Sequence, residues 1–389
     1  MAIRVEPQPT SSVSAEAAAI VRRLDFVLLA AVAGLVAYGL WVLGAVSRND
    51  VPGDPDYYVV RQSINVAVGT LAVAFVAFVN PEVYRSLRRL LYAVALIILA
   101  VVFVADAIRD TQRWIEVGFF RFQPSEFGKV LLILVLAGFL ADRARRLGEW
   151  RTTVAAVGLA AVPTFLVFIE PDVGTAFVYC GILAAVLFIA GTRWSHLAAL
   201  AVTALAAAAS ILWVLPSAGV SVLRDYQLER LTGFVNPDLD PSGATYNITQ
   251  SITAVGSGGL GGRGVAGATQ TNMNYLPEHA TDFIFSSLAE QRGFFGAALL
   301  LLLYGLVVWR GVKTITVAPS LFTAMVAAGI VFTLVFQVFV NVGMTIGIAP
   351  ITGIPLPFVS YGGSSMVASL MMIGLLQAIH VRGRLAGRP

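Results

Sequence analysis

The sequence predicts an all-α, polytopic membrane protein with about ten transmembrane helices, and three observations support that prediction. Hydrophobic residues make up 58% of the 389 residues, whereas only 12% are charged. Soluble proteins usually carry about 25% charged residues. The hydrophobic residues form long runs, and most of the arginines fall in every second connection between those runs. These features exclude a soluble enzyme of two domains.

Ten apolar runs have about the length that a helix needs to cross a membrane, which is about 20 residues. In chain order they are Phe26–Val46, Ile64–Val79, Leu90–Ala107, Phe127–Ala141, Val154–Ile169, Thr175–Ala190, Leu197–Leu215, Phe283–Trp309, Leu321–Ile346 and Phe358–Ile379. The fourth run is short, and the polar residues before it extend the start of its helix.

The distribution of positive charge predicts the orientation of these helices. With the amino terminus inside the cell, the inner connections carry most of the lysines and arginines, and an even number of spans puts both termini in the cytoplasm. The predicted parts are a cytoplasmic tail over residues 1–23, a membrane domain over 24–382 and a cytoplasmic tail over 383–389. Residues 217–281 of the membrane domain form one long extracellular loop. Because connections of this length are often functional, we expect the chemistry on the outer side.

The composition limits the kinds of site that the chain can build. Cys180 is the only cysteine, and the three histidines are scattered, so the sequence offers no disulfide framework and no zinc cluster. We expect no required cofactor, although a divalent cation that assists the reaction stays open, and no nucleic-acid partner. A G-x-G-x-x-G pattern begins at Gly256 but follows no strand, which excludes a nucleotide site. We interpret this glycine-rich stretch as a flexible loop that lets a large substrate approach.

The connection after the third run and the start of the fourth run contain four candidate substrate-binding residues, Trp114, Arg121, Glu126 and Lys129. Glu126 and Lys129 are three residues apart, so on a helix they share a face and can form an ion pair. Arg121 and Lys129 near the start of the fourth helix would form an anion site. The alternatives are that the ion pair is structural and that Trp114 is an aromatic anchor at the membrane surface.

A second polar cluster, Glu170–Thr175, lies at an outer junction between two helices. Pro171 permits a break in the helix, and Asp172 can cap the helix that follows. We retain Asp172 as a candidate for substrate binding, with capping or ion pairing as the expected role and direct catalysis as the alternative.

The catalytic candidate is Asp282, which leads from the long loop into the eighth run. A carboxylate at the edge of the hydrocarbon is costly, so we expect it to face a cavity or a partner. Partial burial raises the pKa of such a carboxyl group toward a useful value for a general base, while a nearby cation keeps it ionised. Glu278 is a candidate substrate-binding residue, and the polar stretch Ser286–Arg292 predicts a polar recess. The alternative is that Asp282 only caps its helix.

The last polar cluster, Thr352–Ser365, combines prolines, glycines and hydroxyl groups inside an apolar region. This composition predicts a broken or re-entrant stretch that lines a cavity and presents backbone N–H groups to phosphates. The candidate substrate-binding residues are Ser360, Gly362, Gly363 and Ser364, and the alternative is that the glycines only allow helices to pack.

Seven segments resemble, in order, the SEDS family (shape, elongation, division and sporulation), and in particular its rod-shape branch. They are Gln112–Ile115, Phe122–Glu126, Glu170–Thr175, Gly256–Gly259, Leu276–Glu278, Thr281–Phe285 and Gly353–Ser365. The resemblance covers about residues 24–382. The chain departs from the family pattern at Ala280, where the family usually has a histidine; His279 precedes it, and we expect no catalytic role for that histidine.

The resemblance implies a peptidoglycan glycosyltransferase that polymerises lipid II at the outer face of the cytoplasmic membrane during cell elongation. Its implied partner is a class B penicillin-binding protein, a transpeptidase. By the same resemblance Asp282 matches the essential aspartate of the family, Arg121 and Lys129 match basic residues of its substrate site, and Trp114 matches a tryptophan linked to activity. Two alternatives stay open, a lipid II flippase and a non-catalytic scaffold that recruits a transpeptidase.

The expected reaction is an inverting glycosyl transfer without a covalent intermediate. Asp282 removes the proton from an acceptor sugar hydroxyl, which attacks the anomeric carbon of the donor. Arg121 and Lys129 then stabilise the charge on the lipid pyrophosphate that leaves.

Overall fold

The structure is a computed structural model that describes residues 13–104, 113–117, 120–220 and 244–387. Most of these residues are helical, and the predicted fold class is confirmed. Residues 1–12 of the predicted amino-terminal tail and residues 221–243 of the predicted extracellular loop lie outside the described part of the chain. The end of that tail, Val13–Arg22, is a helix.

The elements are labelled in chain order. The helices are α1 (Val13–Arg22), α2 (Phe26–Val46), α3 (Tyr57–Phe78), α4 (Pro81–Ser86), α5 (Arg88–Val101), α6 (Pro124–Ala141), α7 (Trp150–Ile169), α8 (Val173–Ala190), α9 (Trp194–Ala209), α10 (Leu215–Ser217), α11 (Ala244–Ser257), α12 (Gly264–Gly267), α13 (Thr269–Asn272), α14 (Ile284–Val317), α15 (Leu321–Thr345) and α16 (Gly363–Leu385). A π-helical turn, Ser210–Val214, joins α9 to α10. Two short strands, β1 (Ile115–Val117) and β2 (Phe120–Phe122), pair antiparallel.

Nine helical segments of the described residues are long and apolar enough to cross a membrane, and each matches a predicted span. The segment from α9 to α10 counts as one of them. The remaining predicted span, Leu90–Ala107, coincides with the shorter helix α5, and its last three residues lie outside the described part. Helix α3 begins at Tyr57, seven residues before the predicted start, because the polar turn that precedes the apolar run is also helical.

The centre of the bundle consists of α6, α15 and α16, most of whose side chains are buried. These helices are apolar around most of their circumference, as expected of helices surrounded by other helices. Their side chains form one hydrophobic cluster with those of α2 and α8. Helix α9 lies at the periphery, and His196 is its one buried residue.

Helix α14 is broken at Gly293, whose backbone is not helical (φ 65°, ψ −163°). The turns before the break carry Ser286, Ser287, Glu290 and Gln291, and all four are buried by protein. From the sequence, this stretch was expected to face protein or water and to form a polar recess. These four side chains face protein, and none of them lines the cavity described below. An apolar helix begins after Gly293, so the break separates a polar half of α14 from an apolar half.

The glycine-rich stretch packs closely on the break in α14, which contradicts our interpretation of it as a flexible loop. Added Cβ atoms at Gly258 and Gly262 would lie 2.0 Å and 2.3 Å from backbone oxygens of α14. The backbone of the stretch also bonds to α14, where the N–H of Phe294 donates to the carbonyl oxygen of Gly259 at 2.8 Å. The glycines allow the two backbones to approach closely, and the resulting backbone contacts hold the stretch in place.

The Glu290 carboxylate holds helix α13, which follows the glycine-rich stretch. It accepts hydrogen bonds from the backbone N–H groups of Gln270 and Thr271 and from the Thr271 hydroxyl, at 2.9, 3.1 and 2.8 Å. A buried carboxylate satisfied in this way has a structural role.

The connections that the sequence assigned to the inner side contact one another at one end of the bundle. Arg85 and Arg88, from the α4–α5 region, both pair with Asp142 after α6, at 2.9 and 2.5 Å. Asp25, before α2, pairs with Arg310 on α14 at 2.7 Å. The segments assigned to the outer side meet at the other end, which we call the cavity end.

Candidate active site

A cavity of about 570 Å³ opens at the cavity end of the bundle. Its walls come from the start of α3, the β1–β2 pair, the start of α8, the segment before α14 and the segment before α16. It is lined by three arginines and three carboxylates, which are Arg61, Arg113, Arg121, Asp172, Glu278 and Asp282. The cavity therefore offers both cations and candidate bases to a polar substrate.

Asp282 lies half-buried in the wall of this cavity. Its backbone carbonyl accepts a hydrogen bond from the side-chain amide of Asn341 on α15, at 2.9 Å. The Ser360 hydroxyl donates to the carbonyl of Thr281 at 2.6 Å, and the N–H of Tyr361 donates to the carbonyl of Ala280 at 3.0 Å. Two distant parts of the chain thus hold the backbone that carries this carboxylate.

Asp282 does not occupy the cap position of α14. The residue at that position is Phe283, whose side chain makes no capping hydrogen bond. Glu278 instead shapes the turn before Asp282: it has a left-handed backbone (φ 53°), and its carbonyl accepts from the N–H groups of Thr281 and Phe283 at 3.2 and 3.1 Å. The Glu278 carboxylate also accepts from the Thr281 hydroxyl at 2.8 Å.

The β1–β2 pair brings Trp114 and Arg121 to the cavity wall, as expected for substrate-binding candidates. Arg121 lies opposite Glu116 in the strand register, and their side chains form an ion pair at 3.3 Å in which both remain more than half exposed. The Arg121 carbonyl accepts from the Ser364 hydroxyl at 3.1 Å, and this bond ties β2 to the start of α16.

Lys129 and Glu126 are not brought to the cavity. The Lys129 ammonium donates to the Glu126 carboxylate at 2.7 Å, which confirms the predicted pair, and the two side chains are only 1% and 2% exposed. The predicted anion site of Arg121 with Lys129 is therefore absent from the described residues. The physical reason is that Glu126, one turn away on the same helix, already neutralises the ammonium.

Asp172 caps helix α8, as predicted, and also lines the cavity. One carboxylate oxygen accepts from the N–H of Thr175 at 3.1 Å, and the other accepts from the Gln123 amide at 3.2 Å. With both oxygens engaged, Asp172 is better suited to positioning α8 and Gln123 than to moving protons.

Glu170, two residues earlier, is fully buried, and neither carboxyl oxygen has a hydrogen-bond partner among the described residues. Burial raises the pKa of Glu170 from 4.5 to about 8; the Asp172 carboxylate adds to the rise, and Arg113 opposes it. The Arg113 guanidinium also donates to the backbone carbonyls of Glu170 and Pro171. Glu170 is therefore neutral near pH 7 and serves no ion pair.

The segment before α16 is irregular, as predicted, and the helix begins at Gly363 rather than at Phe358. Gly362 and Gly363 line the cavity, whereas Ser360 and Ser364 are buried and hold the neighbouring backbone. The first amides of a helix have no partner inside that helix and carry a partial positive charge. The start of α16 therefore adds donors for an anion to those of the arginines.

The start of α3 contributes cavity residues that our sequence analysis missed, namely Tyr57, Tyr58, Arg61 and Asn65. The Arg61 guanidinium lies 4.3 Å from the centre of the Tyr57 ring. The predicted span begins at Ile64 and therefore leaves Arg61 outside it. The sequence spacing could have indicated this polar face, because Arg61 and Asn65 are four residues apart and lie on the same side of a helix.

Comparisons with known proteins identify relatives over almost the whole chain. The model of the cell cycle protein family of FtsW, RodA and SpoVE matches residues 23–385. The peptidoglycan glycosyltransferase MrdB of Escherichia coli K12 is 36% identical over 366 residues, which are 94% of this chain and 95% of MrdB. Stage V sporulation protein E of Bacillus subtilis is 36% identical over 83% of this chain and 87% of its own length.

Solved structures of similar proteins also cover almost the whole chain. A chain of a peptidoglycan synthase complex that coordinates polymerization and crosslinking is similar with a TM-score of 0.78 and 31% identity, over 92% of this chain and 98% of that one. The rod shape determining protein RodA of Thermus thermophilus is similar with a TM-score of 0.65 and 29% identity, over 92% and 96% of the two chains.

Proposed function

Because the chain belongs to the cell cycle protein family of FtsW, RodA and SpoVE, we propose that it is a peptidoglycan glycosyltransferase of cell elongation. Its substrate is lipid II, which it polymerises at the outer face of the cytoplasmic membrane. The observation that carries this proposal is the half-buried Asp282 carboxylate in a cavity that three arginines also line. The cavity end then faces outward, in agreement with the positive charge of the opposite connections.

Asp282 acts as the general base of an inverting transfer. It takes the proton from the acceptor sugar 4-hydroxyl, whose oxygen forms a bond to the anomeric carbon of the donor. The bond from that carbon to the lipid pyrophosphate breaks, and the pyrophosphate leaves with the electron pair. A base in this position contributes about 10²–10⁴-fold to the rate.

The leaving pyrophosphate carries negative charge that the cavity has to stabilise. Arg61, Arg113 and Arg121 line the same cavity as Asp282, and the start of α16 adds helix amides. Preorganised donors of this kind are often the largest single source of rate enhancement. Lys129 acts indirectly in this mechanism, because its ammonium neutralises Glu126 and thereby fixes the start of α6.

Trp114, Glu278, Gly362 and Gly363 complete the substrate-facing surface. Ser360, Ser364 and Asp172 hold the backbone around it through the hydrogen bonds described above. A divalent cation that binds with the pyrophosphate stays compatible with this arrangement; addition of a chelator to the assay tests it.

The proposed partner is a class B penicillin-binding protein, which supplies the crosslinking reaction. The likeness to a synthase complex that coordinates polymerization and crosslinking supports a partner of this class. Copurification with such a transpeptidase, and a change in glycan yield when it is added, test this part of the proposal.

The decisive experiment incubates the purified chain with labelled lipid II, alone and with a transpeptidase. Wild type is expected to give ladders of glycan, and Asp282→Asn to give none while keeping the thermal stability of wild type. Asp54→Asn is the matched control, since Asp54 is an exposed aspartate of the α2–α3 connection. Ladders from Asp282→Asn would overturn the base assignment, and lipid transport into vesicles without ladders would indicate a flippase.

A further inference from the structure

An ion pair outside the cavity joins two parts of the chain that are far apart in sequence. The Nε2 atom of His279 lies 3.0 and 3.1 Å from the two carboxylate oxygens of Asp50, in the α2–α3 connection. The Nδ1 atom of the same ring lies 3.0 Å from the backbone carbonyl oxygen of Leu276. Both side chains are mostly buried, with 10% and 15% of their surfaces exposed.

The partners of the His279 ring determine its charge. A carbonyl oxygen has no proton, so Nδ1 has to donate to Leu276, and an aspartate carboxylate has none either, so Nε2 has to donate to Asp50. A ring that donates from both nitrogens is an imidazolium cation. His279 and Asp50 are therefore a charged pair, in which the single Nε2–H is shared between the two Asp50 oxygens while Nδ1–H anchors the ring to Leu276.

The charged groups around His279 agree with this assignment. Burial by itself lowers the pKa of His279, but the hydrogen bond and charge of Asp50, the Leu276 carbonyl and the charge of Glu278 outweigh it, so that the pKa is raised above 6.5. Asp50 belongs to the α2–α3 connection, whereas Glu278 belongs to the segment of His279 itself. The raised pKa favours the cation, in agreement with the two donors that the hydrogen-bond geometry requires.

The pair acts on the segment that carries the proposed base. His279 lies three residues before Asp282, and between them the backbone is held by Tyr361 and Ser360 from the segment before α16. Asn341 of α15 holds the carbonyl of Asp282 itself. The bond to Asp50 adds a contact with the α2–α3 connection, which leads directly into the cavity-lining start of α3. Tyr58 of that helix start packs against Tyr361, with ring centres 4.7 Å apart.

We propose that Asp50 and His279 are positioning residues for the glycosyl transfer: their ion pair holds the segment 276–283 against the α2–α3 connection, so that Asp282 faces the cavity. This inference rests on the proposed function for its kinetic consequence only.

The kinetic test compares Asp50→Asn and His279→Gln with the exposed control Asp54→Asn. Each of the first two variants is expected to lower kcat about 10-fold with little change in KM, because a small displacement of a catalytic group lowers the rate far more than it lowers binding. The double variant Asp50→Asn/His279→Gln is expected to be no worse than either single variant, since both remove one interaction.

The pH profile separates positioning from a merely structural role. In wild type, kcat is expected to fall as the pH rises through the raised pKa of His279, because the neutral ring loses one of its two donors. This alkaline fall is expected to be missing from His279→Gln and Asp50→Asn, whose rates are already low. Asp50→Glu, which keeps the negative charge, is expected to recover part of the rate.

Hydrogen exchange followed by mass spectrometry gives a readout that does not depend on activity. The amides of residues 276–283 are expected to exchange faster in Asp50→Asn than in Asp54→Asn at the same pH, with the other helices unchanged. Equal exchange in that segment, or faster exchange throughout the chain, would overturn the proposal. If wild type makes no glycan, the proposed function fails while this exchange measurement still decides the role of the pair.

Discussion

The two ends of the helix bundle both contain buried charge, but they arrange it differently. At the end opposite the cavity, Asp25 is 3% exposed. Its carboxylate accepts hydrogen bonds from Nε of Arg310 at 2.7 Å and from the N–H of Leu28 at 3.0 Å, and Nη2 of Arg310 also lies 2.7 Å from it. Its backbone N–H and carbonyl both bond to the Gln377 amide. At the cavity end, Asp282 and the lining arginines keep part of their surface open to the cavity.

This difference distinguishes charges that hold the fold together from charges that are available to a substrate. Removal of one member of a buried pair leaves the other uncompensated, which costs about 3–5 kcal/mol. A half-exposed charge in a cavity remains hydrated and contributes little to stability, but it can meet a substrate group. The same contrast exists within one stretch of chain, where Lys129 is fully paired and Arg121 is more than half exposed.

The sharpest test of the comparison replaces one aspartate at each end. Asp282→Asn is expected to lower glycan synthesis at least about 100-fold with no change in the thermal unfolding midpoint. Asp25→Ala is expected to destabilise the folded chain by about 3–5 kcal/mol, because Arg310 loses its partner. Unfolding in detergent and glycan synthesis are measured on both variants. A stable Asp25→Ala protein would remove the distinction between the two ends.

The second test concerns the pair that sequence analysis had placed in the substrate site. Lys129→Met is expected to destabilise the fold by about 3 kcal/mol, because it leaves Glu126 buried without a cation. The double variant Glu126→Gln/Lys129→Met is expected to recover most of that loss. Thermal unfolding of Lys129→Met, Glu126→Gln and the double variant gives the coupling energy between the two side chains. Additive losses would mean that the two side chains do not depend on each other.

The third test uses pH at the buried acid of the cavity end. Because the pKa of Glu170 is raised to about 8, its contribution to stability is complete below about pH 4.5 and is lost as the pH rises through 8. Glu170→Gln stays neutral at every pH. We therefore expect it to be more stable than wild type at pH 9, by up to about 5 kcal/mol, and little more stable at pH 5. A constant difference over this range would contradict the raised pKa.

The smallest expected effect belongs to Arg61, the cavity residue that sequence analysis missed. Arg61→Ala is expected to lower kcat/KM for lipid II about 10-fold, as expected for loss of one charge-assisted contact to a phosphate. The unfolding midpoint should stay near that of wild type. Arg89→Ala, on α5 at the opposite end, is a suitable control because Arg89 is an exposed arginine outside the cavity. Equal activity of the two variants would exclude Arg61 from the site.

Hydrophobic runs and arginine positions were sufficient to predict the helical membrane fold, because both signals are strong and local. The boundaries were harder to predict where polar residues continue a helix. Helix α3 starts at Tyr57 because its first turns face a cavity rather than lipid. The two strands have only three residues each, which is too short for a recognisable alternating pattern. The hydrogen bond from Ser364 at the start of α16 to Arg121 places β2 at the cavity, and the sequence does not predict this contact.

The candidate site was predicted in composition but not in arrangement. The spacing of Glu126 and Lys129 correctly predicted their ion pair, yet it did not indicate whether the pair points toward the cavity or away from it. The glycine-rich stretch was interpreted as flexible because glycine serves both mobility and close packing, and only the approach of Gly258 to α14 distinguishes the two. The direction of a side chain and the mobility of a loop both depend on tertiary contacts, and a local sequence pattern carries no information about those contacts.

The origin of the hydrogen bonds around Asp282 has a consequence for biosynthesis. Asn341, Ser360 and Tyr361 all follow Asp282 by at least 59 residues, so the ribosome adds them after the aspartate has already been translated. A nascent chain that has inserted only its earlier helices therefore has the carboxylate without the groups that orient it. We therefore expect translation products that end before Asn341 to lack an oriented carboxylate.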